Sequence, residues 1–133
     1  MNIAIAILNW NGKKLLEQFL PSVISNSENA DVYVIDNAST DDSVAILHRQ
    51  FPGVKIIQNT ENGGFAKGYN DGLKQIKADV FCLLNNDIEV TPNWLSPILS
   101  SFKSDPKTAI IQPKILDFKN KTFLNMQEHR EDF

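Results

Sequence analysis

The 133-residue sequence predicts a three-layer α/β fold, in which helices cover both faces of a doubly wound, mostly parallel sheet. Two observations carry this prediction. Short apolar runs alternate with longer amphipathic stretches, and several runs have few polar breaks, as in strands buried on both faces. A hydrophobic content of 42% is also enough for one core. Strands that alternate with helices in this way are joined by right-handed crossovers.

Five short runs are predicted as strands, because each is rich in β-branched or aliphatic residues and is bounded by polar turns. They cover residues 3–8, 32–35, 54–57, 80–84 and 109–111. Residues 1–118 are therefore expected to form one domain. The polar stretch 119–133 has no convincing strand, and we expect a poorly ordered tail there.

Four amphipathic stretches between these runs are predicted as helices. In the first, Pro21 is expected to kink the helix or to start a new turn. The second follows residues 39–42, whose Ser-Thr-Asp-Asp sequence resembles a capping box, and the fourth opens at Pro92. The apolar positions of the four helices are, in order, Leu15, Leu16, Phe19, Leu20, Val23 and Ile24; Val44, Ile46, Leu47 and Phe51; Phe65, Tyr69, Leu73 and Ile76; and Trp94, Leu95, Ile98, Leu99 and Phe102.

Charge and cysteine content limit the classes of function. A net charge of −3 gives no electrostatic reason to expect a nucleic-acid partner. The single cysteine, Cys82, excludes an internal disulfide framework and is expected to be a buried, inert thiol in a reducing compartment. No signal peptide is visible, and no stretch approaches the roughly 20 apolar residues of a spanning helix. We therefore expect a cytoplasmic protein.

Four polar loops are predicted at the carboxyl ends of the first four strands, where open parallel sheets bind their ligands. They comprise residues 9–12, 36–39, 59–64 and 85–87, and all are dense in Asn, Asp and Gly. Converging polar loops at one end of an apolar sheet are what a ligand cleft requires.

Three of these loops have two interpretations each. Asp36 could accept hydrogen bonds from a base or ribose, or it could cap the next helix together with Ser39. Trp10 could offer a flat face to a nucleobase, or it could pack at the edge of the core. Backbone N–H groups after the Gly63-Gly64 pair could hold phosphate oxygens, with Lys67 as a counter-charge, or the pair could be a simple turn.

The triplet Asn85-Asn86-Asp87 is the sharpest feature, because a hydrophobic strand delivers three oxygen-bearing side chains to its end. Mg²⁺ or Mn²⁺ needs few carboxylates when phosphate and water fill its other positions. The alternative is an Asx-rich turn. His48 and His129 have no ligand-spaced partner, and no catalytic Ser-His-Asp or Gly-x-Gly-x-x-Gly pattern is present, which disfavours nucleophilic hydrolysis and dinucleotide binding.

Taken in series, the four loops resemble family 2 glycosyltransferases with the A-type, Rossmann-like fold, and within that family the rhamnosyltransferase-like members. The matching strings are ILNWNGKKLLEQFLPSV, VYVIDNASTDDSV, NTENGGFAKGYNDGL and FCLLNNDIEVTPNWL, which span about residues 3–115. The resemblance implies transfer of a sugar, with inversion, from a UDP- or dTDP-sugar to a saccharide or lipid-linked acceptor, as in the synthesis of cell-surface polysaccharides. It also implies a location in the cytoplasm or at the inner face of the membrane.

The resemblance assigns roles to individual residues. The base and ribose side is formed by Asn9, Trp10, Asn11, Asp36 and Asn37, and the ribose and diphosphate side by Asn62, Gly63, Gly64, Lys67, Asn70 and Asn86. Asn85 to Asp87 takes the family's metal-binding D-x-D position in a variant form, so that Asp87, with Asn85, holds Mg²⁺ or Mn²⁺.

The sequence departs from the family pattern near its end. It stops about 46 residues after Asp87, and the family's acceptor-binding elements and base lie further along, so we expect the catalytic base to be missing and turnover to be affected. Two alternatives stay open, a non-catalytic module that binds a nucleotide sugar or a partner, and a sugar nucleotidyltransferase. An apolar sheet edge left exposed would also favour a homodimer.

Overall fold

The computed structural model describes residues 1–119, and the chain divides into two compact units, Met1–Asn93 and Trp94–Phe133. The first unit contains the sheet, three helices and every candidate site residue. The described part of the second contains one helix. The boundary at residue 118 stays a prediction, and residues 120–133, which include His129, lie outside the described residues.

Strands and helices alternate along the whole described chain. In order they are β1 (Ile3–Asn9), α1 (Lys13–Ser25), β2 (Asp31–Asp36), α2 (Ser43–Gln50), β3 (Lys55–Gln58), α3 (Phe65–Leu73), β4 (Val80–Leu84) and α4 (Leu95–Ser104). The four strands form one parallel sheet in the order β3-β2-β1-β4. The predicted α/β class and doubly wound parallel sheet are therefore confirmed. Because the chain adds β2 and β3 on one side of β1 and β4 on the other, the strand order reverses between β1 and β4.

The core lies on both faces of β1, which is buried over almost its whole length. On one face Ala4 and Ala6 pack with Tyr69 of α3. On the other face Ile7 lies beside Leu16 and Leu20 of α1. Small residues on the α3 side allow that helix to approach the sheet closely, and Gly72 is needed there because a Cβ would overlap the side chain of Ile35.

Two predicted elements differ from the structure. The predicted strand at 109–111 is wrong, since no ladder includes these residues and Ile110 is 88% exposed. A three-residue apolar run cannot form a strand without a neighbour to bond, and none lies beside it in the described chain. The fourth helix begins at Leu95 and not at Pro92, because Asn93 takes a positive φ of 60° that a helix does not permit.

The predicted helices are present, but the buried face of α1 and the start of α2 differ from the prediction. Pro21 lies within one continuous α1, and the buried stripe is narrower than predicted, since Leu15 and Ile24 are partly exposed. The capping-box prediction is wrong, because α2 begins at Ser43 with no side-chain cap from its N-cap residue. Asp41 instead accepts a hydrogen bond from the Ser43 amide.

β4 forms one edge of the sheet, and two of its apolar side chains are exposed. Phe81 is 42% exposed and Leu83 is 53% exposed, whereas Cys82 between them is half-buried. Desolvation raises the pKa of the Cys82 thiol to about 11, as expected for an inert thiol. None of the helices in residues 1–119 has the length and apolar character needed to cross a membrane.

Candidate functional site

The loops after β1 and β2 are joined by buried side chains. Asn9 and Asp36 lie opposite each other at the ends of the two strands, and they are 0% and 2% exposed. Nδ2 of Asn9 donates to Oδ1 of Asp36 at 3.1 Å. Parallel strands end at the same edge, so this pair forms the floor of the candidate site.

The Asp36 carboxylate organises its own turn. Its Oδ1 accepts from Ser39 Oγ at 2.6 Å, and its Oδ2 accepts from the Ser39 amide at 3.0 Å. Ala38, inside this turn, has a positive φ of 62°. Asp36 and Ser39 therefore do not cap α2, as one interpretation of the sequence held, because that helix starts four residues after Ser39. The buried carboxylate shapes the loop.

Asn11 fixes the other side of the same loop. Its Oδ1 accepts from the amides of Thr40 and Asp41 at 2.7 and 3.2 Å, and its own φ is +49°. Trp10 lies between the two fixed asparagines and is 54% exposed. Within the described chain Trp10 is thus not a core residue, which leaves its indole face open to a flat ligand.

Asn37 connects β2 to the third loop. It is 2% exposed, its Nδ2 donates to Asn62 Oδ1 at 2.9 Å, and its Oδ1 accepts from Asn59 Nδ2 at 3.1 Å. Asn59 also donates to the carbonyl of Gly68 at 3.1 Å. Gly68 is required at this contact, since a Cβ there would lie about as close as 2.9 Å to Leu8. The three loops after β1, β2 and β3 are thereby held as one surface.

The start of α3 has a backbone conformation that favours glycine. Gly64 has a φ of +94°, and its amide donates to Asn62 Oδ1 at 3.0 Å. The Lys67 amine is bonded to Asp71 at 2.6 Å and lies 3.7 Å from Glu61. The Asp71 hydrogen bond raises the pKa of Lys67, so this cation is paired as well as exposed. Asn70 is exposed in the same helix.

The fourth loop meets the first where the strand order reverses. Asn86 Nδ2 donates to Asn9 Oδ1 at 3.1 Å, while Asn85 and Asp87 are exposed. In residues 1–119 no three His, Cys, Asp or Glu side chains cluster around a metal position. One carboxylate with amide oxygens nevertheless fits Mg²⁺ or Mn²⁺, provided that a ligand and water supply the other oxygens.

The sequence indicated Tyr69 only as a core position, but its hydroxyl contributes to the site. The hydroxyl accepts from the Leu8 amide at 3.3 Å and donates to the Leu84 carbonyl at 3.0 Å, joining β1 and β4 where their pairing ends. Desolvation raises the pKa of Tyr69. Helical periodicity identified the residue as buried and gave no signal for the hydroxyl. Ser39 was considered only as a cap of the next helix, and Asn59 lay in a predicted loop without an assigned role.

The structure brings five members of the predicted site together, of which Asn9, Asp36 and Asn37 are buried, Asn86 is half-buried and Asn62 is exposed. Asn9 bonds to Asp36 and Asn86, and Asn37 bonds to Asn59 and Asn62. The backbone amide of Asn37 donates to the Asn9 carbonyl at 2.8 Å and connects the two sets into one network across the four loops. Asn11 is tied to the second loop by separate bonds. Trp10, Lys67, Asn70, Asn85 and Asp87 surround this network on the surface, where a ligand can reach them.

Sequence comparison identifies a family and several relatives. The family model described as "Glycosyl transferase family 2" matches residues 4–132. A human protein named "Probable polypeptide N-acetylgalactosaminyltransferase 8" is 30% identical over 119 residues, which cover 89% of this chain and 18% of that protein. A dolichol-phosphate mannosyltransferase of Pyrococcus furiosus is 24% identical, covering 83% of this chain and 32% of the relative. The chain thus spans less than a third of either relative.

Solved structures share the fold. Mannosyltransferase PcManGT from Pyrobaculum calidifontis, in complex with GDP-Man and Mn²⁺, matches with a TM-score of 0.75 and 17% identity over 90% of this chain and 36% of that chain. S. aureus TarS 1-349 in complex with UDP-GlcNAc matches with a TM-score of 0.69 and 18% identity over 87% of this chain and 40% of that one. At these identities the likeness concerns the fold alone.

Proposed function

The chain belongs to glycosyl transferase family 2, and we propose that it binds a nucleotide diphosphate sugar whose sugar is transferred to an acceptor hydroxyl. The observation that carries the proposal is the hydrogen-bonded network of asparagines and Asp36, which is buried at Asn9, Asp36 and Asn37 and joins four loops at the carboxyl edge of the sheet. A preformed, polar surface at this edge is the usual place for a nucleotide in such sheets.

The base and ribose are proposed to lie against the loops after β1 and β2. Trp10 offers the only large exposed aromatic face among the described residues of these two loops, and we assign stacking on the base to it. Asn11, Asp36 and Asn37 stay predicted contacts on this side. Because Asp36 and Asn37 are 2% exposed, their main contribution is expected to be the shape of the loops.

The diphosphate is proposed to lie between the start of α3 and the loop after β4. Backbone amides near Gly63 and Gly64 would bind its oxygens, with Lys67 and Asn70 beside them. Asp87, with Asn85, would hold Mg²⁺ or Mn²⁺. When bound, the cation offsets negative charge on the leaving diphosphate. The Mn²⁺ and GDP-Man in the complex of the structural neighbour PcManGT support this part of the proposal.

The finer points of the reaction are proposals from resemblance. We propose inversion at the anomeric carbon, with an Asp or Glu that takes the acceptor proton and that we assign to no described residue. A uridine or deoxythymidine donor and a rhamnosyltransferase-like subtype follow from the loop sequences. The proposal also includes a saccharide or lipid-linked acceptor, a role in cell-surface polysaccharide synthesis and a place at the inner face of the membrane. It further includes pairing of two copies of the chain. Family membership argues against the sugar nucleotidyltransferase alternative.

Calorimetric titration tests the donor site directly. UDP, dTDP and GDP would each be titrated with and without Mn²⁺ into the wild type, Asp87→Ala and Asp31→Ala. Asp31 is a matched control, because it is an exposed aspartate at the amino-terminal end of β2, paired with Lys55. We expect Mn²⁺-dependent binding of at least one nucleotide that is weakened about tenfold or more in Asp87→Ala and unchanged in Asp31→Ala.

Two results would contradict the proposal. Absence of binding for all three nucleotides would favour the alternative of a non-catalytic interaction module. Equal binding in Asp87→Ala and the wild type would show that Asp87 is not the cation ligand.

A further inference from the structure

Asn9 links the two sides of the proposed site through one buried carboxamide. The side chain is 0% exposed, and both of its ends are bonded, to Asp36 through Nδ2 and to Asn86 through Oδ1, each at 3.1 Å. Gly12 closes the space around this contact, since a Cβ there would overlap both Asn86 Nδ2 and Asn9 Oδ1. The contact between Asn9 and Asn86 therefore requires glycine at position 12.

The direction of these hydrogen bonds is set at Asp36. An ionised carboxylate only accepts hydrogen bonds, and this one already accepts the amide and the hydroxyl of Ser39. Asn9 must therefore turn its Nδ2 to Asp36 and its Oδ1 to Asn86. Asn86 must then turn its own Nδ2 inward. The side-chain oxygen of Asn86 then accepts no hydrogen bond from any residue in 1–119.

We propose that Asn9 is a positioning residue that transmits this direction from Asp36 to Asn86, so that Asn86 presents its carbonyl oxygen next to Asp87. The inference rests on the proposed function, because it concerns the same diphosphate site. A carbonyl oxygen and a carboxylate on adjacent residues of one loop repel phosphate oxygens and attract a cation. This loop is thereby suited to bind a diphosphate through a cation and not by direct contact, which gives nucleotide binding its dependence on Mn²⁺.

Asn9→Leu is the simplest test, because leucine has nearly the same shape and makes neither hydrogen bond. It removes one hydrogen bond from the buried Asp36 carboxylate and leaves the inward-facing Asn86 amide without its partner, so loss of folding is one of its outcomes. The decisive pair is Asp36→Asn and the double variant Asn9→Asp with Asp36→Asn. Both have asparagine at position 36. Only the double variant restores a carboxylate to the pair, and that carboxylate accepts hydrogen bonds from both neighbours.

The probe is inorganic pyrophosphate with Mn²⁺, because it has no base and so excludes any contact of Asp36 with a base. We expect the double variant to bind it about tenfold more tightly than Asp36→Asn. Asn26→Ala is the control, since it removes a comparable amide bond, to the Val90 carbonyl at 3.0 Å, from the same segment without touching Asn86. It should bind like the wild type. Equal affinities for Asp36→Asn and the double variant would overturn the inference.

Proton exchange of the Asn86 side-chain amide, measured by NMR without ligand, separates this inference from the proposed function. We expect slow exchange in the wild type and the double variant and faster exchange in Asp36→Asn. If that pattern is found and no nucleotide or pyrophosphate binds the wild type, the direction of the hydrogen bonds is confirmed and the proposed function fails. If Asn86 exchanges equally fast in all three proteins, the positioning role of Asn9 is wrong whatever binds.

Discussion

At the scale of single residues, the site is built from asparagines whose side chains form hydrogen bonds with other residues of the same chain. Asn9 and Asn37 each donate through one end of the carboxamide and accept through the other. Asn59 donates from one nitrogen to two acceptors. These bonds join neighbouring loops. A carboxamide has both a donor and an acceptor, so one side chain can bond to an acceptor in one loop and to a donor in another. Burial makes each bond costly to break, because the freed polar atom has no water to replace its partner.

Gly64 provides a test of backbone conformation at the start of α3. Its φ of +94° is accessible to glycine and strained for alanine, although a Cβ would find nothing within 4 Å. We expect Gly64→Ala to lower the free energy of unfolding by about 1 kcal/mol or more, measured by urea denaturation. Gly53→Ala is the control, since Gly53 has open space and no positive φ. Equal losses in the two variants would show that strain at Gly64 is unimportant.

Cys82 gives a prediction with a defined pH dependence. Its pKa of about 11 in the folded chain lies above the ordinary value of 9.0, because burial disfavours the thiolate. The stability that this thiol contributes is complete below pH ~9 and is lost as the pH rises through about 11. At pH 8 we expect alkylation by iodoacetamide to be at least about tenfold slower in the native protein than in urea. Equal rates would contradict the burial of this thiol.

At the scale of elements, Tyr69 ties α3 to two strands at the mouth of the site. Its hydroxyl bonds to Leu8 of β1 and Leu84 of β4, so Tyr69→Phe should lower the free energy of unfolding by about 1–2 kcal/mol. Hydrogen exchange should rise first at the carboxyl ends of β1 and β4. Tyr33→Phe is the matched control, because that half-buried ring packs under Lys55 and has no comparable pair of hydroxyl bonds among the described residues. A uniform rise in exchange over the whole sheet would argue against a local role.

The elements also show what the sequence could and could not predict. Periodicity predicted five strands and four helices, and four of the strands and all four helices are present, because burial on both faces of β1 and on one stripe of α1 leaves a strong apolar pattern. It failed at 109–111, where pairing depends on a neighbour that the local sequence does not contain. The loop positions of Asn9 and Asp36 followed from strand ends. Their mutual hydrogen bond did not, since it depends on a contact 27 residues apart.

At the scale of the whole molecule, β4 is an edge strand of the sheet formed by residues 1–119, and part of its apolar surface is exposed. Phe81 and Leu83 lie on the same side of this strand, since side chains two residues apart point to one face. An edge strand with exposed large apolar residues favours pairing with another chain, unless a charge or a covering segment prevents it. This is the physical basis for the proposed homodimer.

Charge placed on β4 tests whether this edge governs self-association. The wild type is expected to sediment as a concentration-dependent mixture of monomer and dimer, and Leu83→Lys should shift it to monomer, because burying an unpaired ammonium at the contact is unfavourable. Ile24→Lys is the matched control, since Ile24 is an apolar side chain that is 40% exposed on α1 and is not part of β4. Sedimentation velocity over a hundredfold range of concentration measures both. A wild type that stays monomeric throughout would contradict pairing through β4. A dimer that persists equally in Leu83→Lys and Ile24→Lys would place the contact on another surface.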